Sequence, residues 1–397
     1  MNWLKSARLG MFVRWGHSSM REWELSLPSV GDVSGISNCQ DVAVAEYYPN
    51  ANYFEPTAYN PRHWATLARS LGVEYVILTV KHHDGFALFP TKDDDFYFKS
   101  GDGSDLVEQF VEAMREANLK VGLYFSLVDW HHPIFTEDDP YRFDNLQQRS
   151  CDLMFSQIRE LLTNYGQIDI IWFDGKWERT PQQWRAVELG QMIRQLQPNI
   201  LINDRLPGQG DFATPEFVPP QPAEGLWQVC LSMNDWHNNN YNSARDLVHI
   251  LCEIAGRGGN LLLNVSPMGN GQIPPAQTEL LSAVAEWMSR YGESILNTQP
   301  GLEPWQFYGS STRRDNVYYL HLLMKPYETI SVRGMPIKRI ESVKIVGSNV
   351  PLSYSTRCSI LDELTQSNPQ GKLTITVPES AIDPLATVIS VFLAPDT

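Results

Sequence analysis

Along the first three-quarters of the chain, short runs of consecutive apolar residues alternate with stretches whose apolar positions recur every three or four residues. Runs such as Tyr75–Val80, Val121–Ser126, Ile168–Phe173 and Leu261–Val265 are rich in β-branched and large aliphatic residues and hold few turn-forming residues. They predict strands covered on both faces, as in a parallel sheet. Met11–Trp15, Ile200–Asn203 and Leu226–Cys230 complete the strand set. Between them the 3.6-residue spacing predicts helices. Trp64, Leu67 and Ala68 share a face of Pro61–Ser70, and Leu106, Phe110 and Met114 share one in Asp105–Ala117. Leu146–Tyr165, Pro181–Gln197, Ala244–Ala255 and Pro275–Tyr291 follow, with Pro181 and Pro275 placed as first-turn prolines.

Repeated strand–helix units imply a parallel sheet. Seven clear units fit an eightfold barrel with one degenerate unit better than an open sheet. A doubly wound sheet would carry a Gly-rich phosphate loop after its first strand, whereas Gly256-Arg257-Gly258-Gly259 precedes a strand. After about Thr298 the texture changes. Asn316–Met324, Glu328–Arg333, Ile340–Val346, Lys372–Val377 and Thr387–Leu393 are short, rich in Val, Ile and Tyr, and punctuated by Gly, Pro, Asn and Ser. The expected fold is therefore α/β: a (β/α)8-like TIM barrel over residues 1–298, then a C-terminal all-β sandwich over residues 299–397.

The strand ends carry the chemistry. Ile168–Phe173 ends in Asp174-Gly175, Tyr75–Val80 runs into His82-His83-Asp84, Ile200–Ile202 into Asn203-Asp204-Arg205, and Met11–Val13 into Arg14. Barrel enzymes place catalytic groups at the C-terminal strand ends. A lone strand-end Asp serves as readily to cap a helix, so it is the convergence of several ends that points to a site. Asp211 and Glu216 add carboxylates on the loop from Arg205 to Pro222. A glycosidase needs two carboxylates flanking the scissile bond. Asp174 would supply a rigid one and Glu216 a loop-borne one. His82 and His83 are adjacent, so on extended backbone their side chains are expected to diverge, which makes them poor ligands to one metal. His131-His132 shares that defect, and no HExxH or GxSxG string is present.

Composition narrows the ligand. The net charge of −15 leaves no basic stripe for nucleic acid or anionic membrane. The 12 Trp, 16 Tyr and 16 Phe supply faces on which sugars stack. Five scattered cysteines give neither a disulfide framework nor a zinc signature. No apolar stretch is long enough to span a bilayer, and no leader-like segment opens the chain. As it stands the chain reads as cytoplasmic, or as secreted or periplasmic if a leader has been removed.

Several strings resemble glycoside hydrolase family 29, the retaining α-L-fucosidases. They are Gly10-Met11-Phe12-Val13 with Trp15-Gly16, Phe54-Glu55-Pro56, Lys81-His82-His83-Asp84-Gly85-Phe86 and Asp129-Trp130-His131-His132-Pro133. Trp172-Phe173-Asp174-Gly175, Asn203-Asp204-Arg205, Thr214-Pro215-Glu216 and Gly258–Val265 continue the series in order. The resemblance implies Asp174 as nucleophile and Glu216 as acid/base. It implies a fucose subsite lined by His82, His83, Tyr124, Trp172 and Arg205, with Glu22-Trp23 as the family's Glu-Trp pair. It implies no metal or organic cofactor, and a fucosylated oligosaccharide or glycoconjugate as partner. One position departs from the pattern: where the family reads His-Trp-Gly, this chain reads Arg14-Trp15-Gly16. An arginine there presents a fixed cation and a fork of donors, so Arg14 joins the substrate-binding candidates. Another α-L-glycoside, a substituted fucose, or an inactive glycan-binding barrel stays open at this level.

Overall fold

The computed structural model describes residues 3–21, 44–135, 143–219, 225–233, 242–348 and 350–395. Seven parallel strands form one curled sheet: β1 (Leu9–Val13), β2 (Tyr75–Lys81), β3 (Lys120–Ser126), β4 (Ile170–Asp174), β5 (Leu201–Ile202), β6 (Gln228–Ser232) and β7 (Asn260–Val265). Their order is β5-β4-β3-β2-β1-β7-β6. β1 and β2 are buried at every position, as continuous apolar runs require. Alternate side chains separate two cores. Phe12, Tyr75, Ile77, Tyr124, Ile170, Trp172, Phe212 and Leu262 fill the barrel. Met11, Val13, Val76, Leu78 and Leu123 face outward against the helices. Gly10 makes room for this filling, since a Cβ there would meet the Tyr75 ring at 2.1 Å.

The sheet's edge strands, β5 and β6, are joined through residues 211–213. Asn203 pairs with Phe212 and Ala213 with Trp227, both in parallel. Asp211 N donates to Ile202 O at 2.7 Å and Gln228 N to Ala213 O at 2.9 Å. This is the degenerate eighth unit, a stave two bridges long. No helix among the described residues lies between β5 and β6.

The outer helices start where local chemistry allows. Asn60 caps Pro61–Ser70, Asp105 caps Leu106–Glu116 through two backbone N–H groups, and Ser243 with Asp246 forms a capping box for Ala244–Gly256. Pro275 opens Pro275–Tyr291 as expected. Pro181 does not open a helix. Residues 181–185 form turns, Arg185 is left-handed (φ 49°), and the helix runs Ala186–Leu196. Buried Trp184, bonded from Nε1 to Lys176 O, anchors the preceding turn separately.

The C-terminal segment forms two antiparallel sheets. One holds β8 (Gln299–Pro300), β9 (Ser310–Arg314), β10 (Val317–Leu322), β12 (Ile340–Ile345) and β15 (Thr387–Leu393). The other holds β11 (Thr329–Pro336), β13 (Tyr354–Arg357) and β14 (Gln370–Thr376). Their shared core includes Leu320, Val332, Leu373 and Ile389. β9 and β13 lie outside the strands expected from the sequence, because Ser-Ser-Thr-Arg-Arg and Tyr-Ser-Thr-Arg carry no apolar alternation. The module rests on helices 244–256 and 275–291 through Trp287 Nε1 to Ala386 O (2.8 Å), Ser310 Oγ to Cys252 O (2.6 Å) and the Arg290–Asp383 pair (3.0 Å). No helix among the described residues is long and apolar enough to cross a membrane.

Candidate active site

Asp174 ends β4 at the C-terminal rim, with its side chain 21% exposed. Its Oδ2 accepts from Tyr124 Oη at 3.1 Å and its Oδ1 from the Gly175 amide at 2.9 Å. His83 Nε2 and Arg205 Nη1 each lie 3.8 Å away. Arg205 also bonds Glu216 through Nη2, so one guanidinium reaches both carboxylates. Thr214 holds that guanidinium in place, accepting from Nε at 3.0 Å and, through its carbonyl, from Nη2 at 3.1 Å. Burial works against the charge on Arg205. The bond to Glu216 and the charge of Asp174 outweigh it and raise its pKa.

The adjacent histidines do not diverge. Their ring centroids are 4.3 Å apart. A register shift between Thr79 and Lys81 breaks the β2 alternation, and the chain turns after Lys81, with Gly85 N donating to His82 O. Gly85 is required in that turn: its φ is 82°, and a Cβ would meet Asp129 Oδ1 at 2.2 Å.

His83 has one tautomer available. Ser126 Oγ donates to Val128 O at 2.6 Å, so it accepts from His83 Nδ1–H at 2.6 Å. His83 Nε2 is then a bare acceptor facing the site. Burial, reinforced by Arg14 and opposed by Asp174, pushes its pKa down to about 4, which keeps the ring neutral. His82 stacks on Tyr124 (5.3 Å, 11°), and Arg14 Nη2 lies 3.5 Å from His82 Nε2. Arginine only donates, so that nitrogen accepts. Tyr124 in turn stacks on Trp172 (5.4 Å, 21°), which packs against Phe12 and donates from Nε1 to Gln228 Oε1 at 2.8 Å. Only 5% exposed, Trp172 belongs to the barrel floor. Burial, with the Asp174 charge, raises the Tyr124 pKa and keeps its hydroxyl a donor.

Eight sequence candidates thus gather at one rim: Arg14, His82, His83, Tyr124, Trp172, Asp174, Arg205 and Glu216. Glu22 and Trp23 lie outside the described residues. Other candidates are tied elsewhere. Asp204 Oδ1 accepts from Thr214 N (3.0 Å) and Oγ1 (2.5 Å). Asp211 Oδ2 accepts from Ile202 N (2.8 Å) and Arg194 Nη2 (2.5 Å). Asp84 is buried against Tyr47 Oη (3.0 Å) and His17 Nε2 (3.1 Å), so His17 sits in the wall and does not take the place of the family histidine.

Sequence reading missed the support beneath the site. Lys81 Nζ lies 2.6 Å from Asp129 Oδ2, both buried, and donates to Gln157 Oε1 at 3.1 Å. Burial would raise the Asp129 pKa, but Lys81 outweighs it and lowers it. Asp129 Oδ1 accepts from the amides of His131 and His132, and Trp130 N donates to His83 O at 2.8 Å. The pair therefore moors the loop that backs His83. The lysine heading the His-His-Asp string was the available signal. Among the described residues no group of three or more His, Cys, Asp or Glu side chains could hold a metal ion.

A curled parallel barrel whose C-terminal rim carries two carboxylates on one arginine fits a class, the barrel glycoside hydrolases. The comparisons narrow it. The alpha-L-fucosidase family model matches residues 1–293. The chain is 28% identical over 386 residues to tissue alpha-L-fucosidase of Homo sapiens, covering 89% of this chain and 82% of that protein. Its fold matches alpha-L-fucosidase isoenzyme 1 from Paenibacillus thiaminolyticus with a TM-score of 0.84 and 30% identity, over 99% of this chain and 98% of that one. It also matches a Thermotoga maritima alpha-fucosidase in complex with a mechanism based inhibitor (TM-score 0.78, 26% identity, 98% and 96% covered). The chain belongs to the alpha-L-fucosidase family. Membership makes it a fucose-releasing glycoside hydrolase.

Proposed function

We propose that Asp174 is the nucleophile and Glu216 the acid/base in a double displacement on fucosylated oligosaccharides or glycoconjugates. An Asp174 oxygen attacks the anomeric carbon as the bond to the aglycone breaks, and the Glu216 carboxyl gives its proton to the departing oxygen. The same Glu216, now a carboxylate, takes a proton from water as that water attacks the anomeric carbon. The bond to Asp174 breaks, and L-fucose leaves with its configuration retained. Gly175 N–H and Tyr124 Oη–H orient the nucleophile. The bare Nε2 of His83 accepts from a sugar hydroxyl, His82 and Arg14 present a second polar pair, and Trp172 with Tyr124 forms the floor on which the sugar sits.

The observation that carries this reading is the single Arg205 guanidinium reaching both carboxylates. Its test is Asp174→Gly on an activated aryl α-L-fucoside. Turnover should fall by three or more orders of magnitude, on the scale of losing a covalent nucleophile (~10³-fold or more). Added azide should restore part of it and yield a β-L-fucosyl azide. Near-normal turnover in the glycine variant would remove Asp174 from the role.

A further inference from the structure

Most large side chains of the barrel are buried, yet two aromatic residues close in the chain to the proposed carboxylates face solvent. Trp177 is 56% exposed and Phe217 is 84% exposed. Trp177 follows Asp174 by three residues, and its ring stands edge-on to the His83 ring at 5.3 Å, while Trp130 packs against the same imidazole at 5.1 Å. Phe217 directly follows Glu216. A row of neighbouring side chains therefore runs from Trp177 to Glu216, the residue before Phe217. Trp177 touches His83, His83 faces Asp174, Asp174 faces Arg205, Arg205 bonds Glu216, and Phe217 comes next in the chain.

We infer that Trp177 and Phe217 form the subsite for the leaving group, and that its occupant is a neutral pyranose ring. The inference rests on the roles proposed above for Asp174 and Glu216. A proton donor must touch the glycosidic oxygen, so the surface next to Glu216 on the solvent side meets the aglycone and not the fucosyl ring. An aromatic face there offers apolar contact and a π surface to ring C–H groups, which a pyranose carries in quantity and an extended peptide does not. The position of Trp177 adds a second effect. Its edge contact with His83 couples aglycone binding to the imidazole proposed to hold the fucosyl hydroxyl, so a filled leaving-group subsite also steadies His83.

The test compares two substrates that share the fucosyl ring and differ in the leaving group: α-L-fucosyl fluoride, which has no aglycone ring, and a fucosyl disaccharide ending in galactose or N-acetylglucosamine. Trp177→Ala and Phe217→Ala should each lose about tenfold more kcat/KM on the disaccharide than on the fluoride, mostly through KM, with Trp177→Phe recovering much of the loss. Equal losses on the two substrates would reduce Trp177 to a support for His83 and overturn the subsite. So would a wild-type protein active on the fluoride and inactive on the disaccharides, a result that leaves Asp174 and Glu216 in their roles. Wild-type inactivity on both substrates would instead sink the reading on which the inference rests.

Discussion

Strand β4 is bracketed by two aspartates, and they behave differently. At the N-terminal end Asp169 is committed to the chain itself: Oδ2 accepts from Val121 N at 2.9 Å and Oδ1 from Lys120 Nζ at 3.3 Å. At the C-terminal end Asp174 is held by Tyr124 and by its neighbour's amide, and it shares an arginine with a second, exposed carboxylate. The rest of each rim follows suit. At the bottom, buried Arg8 donates to the carbonyls of Gly259 and Thr298, and Arg115 to that of Tyr165. Burial brings the Arg8 pKa down to about 10. A groove of about 460 Å³ opens on that bottom rim, lined by Arg115, Lys120 and Asp169 among others. Its size exceeds its chemical promise, because those charges are engaged by backbone or by each other. Strand-end charge alone does not mark a site. What marks the top rim is two carboxylates, one of them exposed, that share a single arginine.

Substitutions at the two rims should separate cleanly, activity at the top and stability at the bottom. After Asp174→Gly, the largest effect is expected for Glu216→Gln. Substrates with poor leaving groups should slow by about 10²–10⁴-fold while activated aryl fucosides slow far less, since only the former need a proton on departure. A uniform loss across leaving groups would move the role elsewhere. At the opposite rim, Arg8→Met should cost about 2–3 kcal/mol of unfolding free energy by orphaning two buried carbonyls. Denaturant midpoints measure this, and kcat should stay near wild type. A kcat that fell with stability would break the division between rims.

Histidines offer a finer version of the same contrast. His83 at the site and His321 in β10 are both neutralised by burial, each with its pKa pushed down to about 4. Unfolding raises each to its ordinary value near 6.5. Between these values the unfolded chain binds more protons, so stability is full above about pH 6.5 and falls with acidification toward pH 4. His321→Asn should remove about 2 kcal/mol of the loss between pH 6.5 and 5, leaving the pH profile of turnover unmoved. An unchanged slope in pH-dependent melts would show that His321 is already accommodated as a cation. The smallest effect is expected for Arg14→His. Plain fucosides should gain a few-fold over sulfated or other α-L-glycosides, a change of about 1 kcal/mol in relative kcat/KM. Constant relative rates across the panel would make Arg14 a bystander to sugar choice.

The barrel was legible because buried parallel strands leave an unbroken apolar record, as in Tyr75–Val80, and because caps such as Asp105 fix helix starts. The rim was legible through strand ends and through motif strings. Other features left weaker traces. The clustering of His82 with His83 depends on a one-residue bulge, which no periodicity announces. The Lys81–Asp129 pair joins residues far apart in the chain, so the lysine at the end of an apolar strand hinted at a buried partner without saying which. The helix expected at Pro181 begins at Ala186 because a tertiary anchor, Trp184, overrides the local proline signal. β13 is exposed throughout, so no burial pattern was imposed on its sequence.

Residues 211–213 join β5 to β6, and Glu216 follows within three positions. Anyone wishing to transplant the acid/base loop between relatives would therefore be exchanging a piece of the barrel wall along with it. Splice points placed inside 211–213 would cut that wall, whereas junctions at Asn203 and Trp227, where the flanking strands take over, would carry wall and proton donor as one cassette. Loop-length variation, which barrel enzymes generally tolerate at this rim, should accordingly be confined here to the stretch after Glu216.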